Sequence, residues 1–277
     1  MYQSWAKMLV VVFVSAVCLH VSTRNVSAAP FNDKNLEAAV REVLREPKAA
    51  LSDDKLKNVY VLEADGKSIR DLAGLEKCKN LAQLKLSRNE IVDTKPLKDL
   101  VNLQYLDLAK NKINDVAPLA GLKKLQYLEL SNNQIEKVDA LKGLTSMASL
   151  YLTGNKIRDI NPLAGLTHLS SLYLGHNQIQ DISLLAKVTH IMTLELRENQ
   201  IVDLTPLTKQ TDLNLLLLEK NKITDLTPLV NWAQADAEGA RRFAPFLRLY
   251  LSGNPLSDAA KTKQLDALKS YGVKIEN

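Results

Sequence analysis

A chain of 277 residues that is 46% hydrophobic and 24% charged is long enough to close a substantial core and too apolar to be an unfolded polymer. Its net charge of +5 comes from lysines interspersed with acids. No basic run and no arginine–aromatic stretch stands out, which argues against a nucleic-acid partner.

In chain order, Lys7 precedes an apolar run from Met8 to Leu19. A polar stretch then ends in Val26-Ser27-Ala28-Ala29. A basic start, a short apolar middle and a small-residue end make a secretory signal peptide over residues 1–28. The run is shorter than the ~20 residues that span a bilayer. No stable membrane span is therefore expected after cleavage, with an uncleaved anchor as the alternative. Cleavage would remove Lys7 and Arg24 and no acid, taking the charge from +5 to +3. It would also remove Cys18, leaving Cys78 with no partner for an internal disulfide. Cys78 reads as a small buried hydrophobe.

Residues 29–58 read as a helical cap. Leu36, Ala39, Val40, Val43 and Leu44 share one face of a helix that Pro47 ends, and Ser52-Asp53-Asp54 opens a second, shorter helix.

Residues 59–256 are repetitive. Asparagines fall at Asn89, Asn111, Asn133, Asn155, Asn177, Asn199 and Asn221, each 22 residues after the last. Around them recur two leucines and an isoleucine, first as Leu84, Leu86 and Ile91 and last as Leu216, Leu218 and Ile223. An atypical unit at each end, around Leu62 and around Leu249, brings the total to nine. Asn254 comes 33 residues after Asn221, so the last unit carries an insertion of 11 residues near 231–241, with the helix-favouring sequence Trp232-Ala233-Gln234-Ala235-Asp236.

The wording L-x-x-L-x-L-x-x-N-x-I resembles the leucine-rich repeat. Leucines two apart point to the same side of a short strand, and the residue between them points to the other. Each unit should add one parallel strand to a curved sheet, with the asparagines stacked in a hydrogen-bonded column as the chain turns away. The second half of the unit reads D-[ILV]-x-P-L. Asp71, Asp93, Asp115, Asp159, Asp181, Asp203 and Asp225 suit the start of a single helical turn on the convex side, as caps. Calcium binding by this column is the alternative. Past the insertion, residues 257–277 read as a C-terminal cap: an amphipathic helix from Ser257 to Ser270 with Ala260, Leu265 and Leu268 inward, then a last strand at Val273-Lys274-Ile275. The expected fold is an α/β leucine-rich-repeat solenoid with a helical cap before it and a capping helix after it.

The 22-residue period, the N-x-I-x-D-[ILV]-x-P-L wording and a cap opening Phe31-Asn32-Asp33-Lys34-Asn35-Leu36 resemble the bacterial internalins over roughly residues 30–230. The resemblance implies an exported, non-catalytic binding protein, secreted, periplasmic or attached to the cell envelope. Internalins of the invasion type continue into an immunoglobulin-like domain, which is not expected here.

Function is expected on the open face of the sheet. The position between the two strand leucines is Glu63, Lys85, Asp107, Glu129, Tyr151, Tyr173, Glu195, Leu217 and Tyr250, and two residues earlier it is Val61, Gln83, Tyr105, Tyr127, Ser149, Ser171, Thr193, Leu215 and Arg248. Tyr105, Tyr127, Tyr151 and Tyr173 should form one aromatic patch on four successive strands. Asp107 and Glu129 lie beside it, Glu195 adds a further orienting acid, and Leu215 and Leu217 expose apolar side chains. A protein or peptide ligand anchored there is expected to lose affinity when Tyr127 and Tyr151 become alanine, with no change in melting temperature. Cross-strand stacking that serves only the sheet is the competing account. Carbohydrate is the secondary ligand class.

Catalysis finds no support. His168, His176 and His190 belong to different units or faces without paired acids at metal spacing, and there is no G-x-S-x-G, phosphate loop or H-E-x-x-H. No metal site and no cofactor are expected, and the chain should be a monomer. Two other classes are open: an intracellular phosphatase-regulating leucine-rich subunit, against which the leader argues, and a structural component of the envelope.

Overall fold

The computed structural model describes residues 30–276; the expected signal peptide lies outside them. Every strand is three residues long. They run β1 (Val61–Glu63), β2 (Gln83–Lys85), β3 (Tyr105–Asp107), β4 (Tyr127–Glu129), β5 (Ser149–Tyr151), β6 (Ser171–Tyr173), β7 (Thr193–Glu195), β8 (Leu215–Leu217), β9 (Arg248–Tyr250) and β10 (Lys274–Glu276). They form one parallel sheet in strict chain order. Its register aligns equivalent residues of each unit, so Leu84, Leu106 and Leu128 pair across neighbouring strands. The middle leucine of each strand from β1 to β9 is fully buried, and in β10 a partly buried Ile275 takes its place. The side chains on either side of it lie on the open face.

The return path of seven units is a short 3-10 turn, such as Ala117–Gly121 or Asn161–Gly165. Its start follows from the aspartate column. Asp71, Asp93, Asp115, Asp159, Asp181, Asp203 and Asp225 each accept from the backbone N–H two residues on. The acids therefore serve as local caps. Among the described residues no cluster of three or more histidine, cysteine or acidic side chains could hold a metal ion.

The asparagine column holds successive units together. Asn133 Nδ2 donates to the carbonyls of Leu108, one unit back, and of Leu130, in its own unit, while its Oδ1 accepts from Ile113 N–H at 3.0 Å. Asparagine is needed because the site takes both an acceptor and two donors. Asn254 closes the column across the insertion by accepting from Asn221 N–H and Ile223 N–H.

At the N-terminal end, α1 (Lys34–Leu44) buries Leu36, Ala39 and Val40. Val43 departs from the expected inward face. It is 43% exposed and lines a shallow groove with Val61 and Glu63, where β1 offers it no layer to pack against. Asp33 joins the cap to the first unit: Oδ1 accepts from Asn35 N–H and Leu36 N–H, and Oδ2 from Arg70 N–H at 2.8 Å. The short α2 (Asp53–Leu56) follows, capped by Ser52.

The insertion becomes α3 (Thr227–Glu238), which replaces the 3-10 turn of its unit. Trp232 stacks on Phe243 at 3.8 Å and donates from its indole to the carbonyl of Gln210. Buried Asp236 accepts from the N–H groups of Arg242, Phe243 and Ala244, which folds the chain back toward β9. The C-terminal helix is less regular than its amphipathic pattern suggests. A π turn over Ala260–Gln264 precedes α4 (Leu265–Ser270), and β10 then adds to β9. Cys78 is buried, and burial pushes its thiol up to about 12, which leaves it inert.

Candidate functional site

The open face owes its composition to a physical freedom. The leucine columns must fill a common core, but the intervening residues touch no second layer. The register places Tyr105 beside Tyr127, and Tyr151 beside Tyr173. Tyr127 faces Ser149 across the β4–β5 boundary, and Tyr151 faces Glu129. The aromatic row therefore steps by two residues at its centre without breaking. Tyr105 and Tyr127 stack at 4.1 Å with planes 4° apart, and Tyr151 and Tyr173 at 4.6 Å and 18°. Tyr127 and Tyr151 meet at 5.1 Å with a 41° tilt across the step. All four rings are half-buried.

Stacking bears on both accounts of the row. Each aromatic contact of this kind adds about 0.5–1.5 kcal/mol, so the tyrosines do support the sheet. Replacing Tyr127 and Tyr151 with alanine must lower the melting temperature, contrary to the expectation of no change. The stacking also covers ring faces and leaves a visitor mainly edges and hydroxyls. Burial, then the neighbouring Tyr105 hydroxyl, pushes the Tyr127 phenol up, and burial does the same to Tyr151. The phenols stay neutral donors and acceptors. At the outer end of the row the Lys85 ammonium lies 5.7 Å from the Tyr105 ring centre and pairs with Glu63 at 2.8 Å.

Asp107 and Glu129 lie side by side in register on β3 and β4. Each accepts from a backbone N–H two residues on, Ala109 at 2.9 Å and Ser131 at 2.7 Å. Both carboxyls nonetheless sit above the ordinary carboxylate range. Burial is the main cause for each, with Asp65 adding repulsion at Asp107, and Asp107 adding it at Glu129.

The other three expected positions are placed differently from one another. Glu195 is 2% exposed and does not stand open as an orienting acid. It reaches back over two units, accepting from Thr153 Oγ1 at 2.7 Å and Gly175 N–H at 3.0 Å, and pairs with Arg197 at 2.7 Å. A buried carboxylate must find such partners, and these were close enough to draw it in. Leu217 is buried at 7%, between Glu195 and Tyr250 in the register, and does not expose its side chain. Leu215 is half-buried.

Two stretches, residues 101–143 and 145–187, match the family model described as leucine-rich repeats in two copies. An internalin, InlF, from Listeria monocytogenes is 32% identical, with a TM-score of 0.70, covering 90% of this chain and 76% of that one. Internalin C2, InlC2, from the same organism is 31% identical, with a TM-score of 0.71, covering 82% of this chain and 94% of that one. This chain belongs to the internalin family. A plant peptide hormone receptor, RGFR1, in complex with RGF2, shares the fold alone, at 18% identity and a TM-score of 0.56 over 66% of this chain and 30% of that one. No curated protein matches the sequence.

Several contacts of this internalin's open face escaped the repeat pattern. Gly175 occupies a column otherwise held by residues such as Ser131 and Thr153, at a backbone angle open to any residue. A Cβ there would run into the Glu195 carboxylate. A glycine one unit before a glutamate was the available signal. Arg248 pairs with Glu276 at 3.3 Å and donates to the Tyr250 hydroxyl, an arrangement that depends on β10 joining the sheet. The histidines remain apart: His168 contacts the Thr145 carbonyl, His176 pairs with Glu198, and His190 with Asp212. Among the described residues no helix is long and apolar enough to cross a membrane.

Proposed function

We propose that this internalin is an exported binding protein that holds a protein or peptide partner on the concave face of its sheet. Tyr105, Tyr127, Tyr151 and Tyr173 anchor the partner, and Asp107 and Glu129 orient it. Leu215 supplies apolar contact beyond the row. Leu217 and Glu195 act beneath the surface by holding that part of the face in shape. The observation that carries this reading is the unbroken tyrosine row over four strands. Large, rigid side chains with a polar tip are what concentrated binding surfaces use. The plant receptor with the same fold, in complex with RGF2, supports peptide recognition by such a scaffold. Export rests on the leader read from Lys7, the run Met8 to Leu19 and the small residues through Ala28. The covered ring faces weigh against a carbohydrate, which would need them for stacking.

The test is capture from extracellular and envelope fractions by the mature chain and by the Tyr127→Ala, Tyr151→Ala double variant. The variant's folding is checked by circular dichroism, since it gives up stacking energy. A partner held by the unaltered chain and released by the folded variant establishes the concave-face reading. A partner held equally by both overturns it. Absence of any partner points to a structural envelope component, and an uncleaved cytoplasmic product to the intracellular regulatory class.

A further inference from the structure

The charged side chains of strands β1 to β9 are Glu63, Lys85, Asp107, Glu129, Glu195 and Arg248. Four of these six are ion-paired within the protein: Glu63 with Lys85, Glu195 with Arg197, and Arg248 with Glu276. Asp107 and Glu129 have no ion-pair partner among the described residues, and they are the two beside the tyrosine row. They also occupy directly facing positions on adjacent parallel strands, where strands stand about 4.8 Å apart. Like charges facing each other in a sheet destabilise it. The same column carries tyrosine on β5 and β6, so the repeat does not require acids there. The long-range field gives no reason for them either. The chain is net positive, +5 in full and +3 without the expected leader, so the pair sets two acids side by side in a cationic protein.

Resting on the concave-face reading above, we propose that the partner presents a basic segment of polypeptide, laid across β3 to β6. Its lysine or arginine groups pair with Asp107 and Glu129. Their aliphatic stems lie along the edges of the tyrosine rings. The covered ring faces favour this occupant over one that must stack flat. The polar groups of the row and its two acids are hydroxyls and carboxylates, and a guanidinium supplies five donors to such a strip. Lys85 already shows the pairing in miniature: its ammonium lies near the Tyr105 ring while bound to the Glu63 carboxylate. Three strand intervals amount to about 14 Å, which an extended segment of about five residues crosses.

The probe is a synthetic peptide of about ten residues alternating arginine and serine. It is compared by titration calorimetry, at physiological salt, with the same peptide carrying neutral citrulline in place of arginine. The expected result is binding of the arginine peptide at least about tenfold tighter than the citrulline peptide. The Asp107→Asn, Glu129→Gln double variant should remove that preference. Those substitutions keep side-chain size and a hydrogen-bond acceptor, so the fold should stand. Glu136→Gln, outside the strands, should leave the preference unchanged. Equal binding of both peptides, or a preference that survives Asp107→Asn, Glu129→Gln, overturns the proposal. The two readings fail separately. If a captured partner is lost with Tyr127→Ala, Tyr151→Ala while arginine and citrulline peptides bind alike, the concave face stands and the basic partner falls. If the tyrosine variant keeps its partner, the concave-face reading itself falls.

Discussion

Two columns of polar residues run the length of this internalin, and they treat hydrogen bonding in opposite ways. The asparagine column repeats one pattern from Asn89 to Asn221, and each side chain bonds backbone groups of its own unit and of the preceding one. The residues of the concave face vary from unit to unit, and they set Asp107 and Glu129 face to face on neighbouring strands with no ion pair of their own among the described residues. Where the sequence repeats, polar groups close on the protein itself. Where it stops repeating, two acids without an ion pair among the described residues and a row of phenols stand on the open face. The difference separates a column fixed by the fold from a face that the fold leaves free to vary.

The sharpest way to break this comparison is at Asn133. Asn133→Ala would strand the buried Ile113 N–H and remove one of the two donors on each of the Leu108 and Leu130 carbonyls, which keep Asn111 and Asn155. At about 1–3 kcal/mol for the orphaned N–H and about 0.5–1.5 kcal/mol for each donated bond lost, the loss should be about 3 kcal/mol in urea denaturation, with peptide binding unchanged per folded molecule. A loss under about 1 kcal/mol would mean that the column is not the seam between units.

Next in size is Gly175→Ala. It forces the Glu195 carboxylate away from Thr153 and Gly175, and about 2 kcal/mol of stability should go with it. Glu195→Ala alone should cost about as much, because it strands the Gly175 N–H and the Arg197 charge. The double variant should cost clearly less than the two together, since the alanines no longer meet a carboxylate. Strict additivity would show that Glu195 does not reach into the space above Gly175.

The smallest effects concern pH, and their signs differ between Asp33 in the N-terminal cap and the acid pair of the concave face. Four backbone N–H donors outweigh burial at Asp33 and hold its carboxyl below its ordinary 3.8. Its stabilisation is complete above that value and is lost as pH falls through the folded-state value. Asp33→Ala should therefore cost about 1 kcal/mol at neutral pH and less in acid. Asp107 and Glu129 are shifted upward. Between the ordinary carboxylate range and their raised folded values the folded state holds more protons than the unfolded one, so stability falls as pH rises through that window. Asp107→Asn with Glu129→Gln should raise neutral-pH stability by about 0.5 kcal/mol and flatten that fall. Thermal melts across the acid range measure both, and a stabilising effect from Asp33→Ala or a destabilising one from the acid pair would reverse the assignment.

Much of this was legible before any coordinates. The 22-residue return of Asn89 through Asn221 implies stacked parallel strands. With the register tied to the leucines, the columns Tyr105–Tyr127 and Tyr151–Tyr173 followed by counting. The misjudged residues are those whose partners lie outside the counting rule. Glu195 was read as open because its position in the unit is open, yet Gly175 and Thr153, 20 and 42 residues away, gave it a buried seat. Val43 was read as inward because helix periodicity says which residues share a face and not how far the opposing layer extends. Spacing leaves the stabilising role of the tyrosines open beside the binding one, because stacking depends on ring angles that no spacing specifies.

Sequence alone determined the repeat, the sheet order and the list of residues offered to the open face, because backbone periodicity converts spacing directly into direction. Only the tertiary structure decided which of those residues are spent on the protein itself. That outcome depends on side chains reaching across units to close ion pairs and stacks. Their reach left Asp107 and Glu129 unpaired while it drew Glu63, Lys85 and Glu195 into internal bonds.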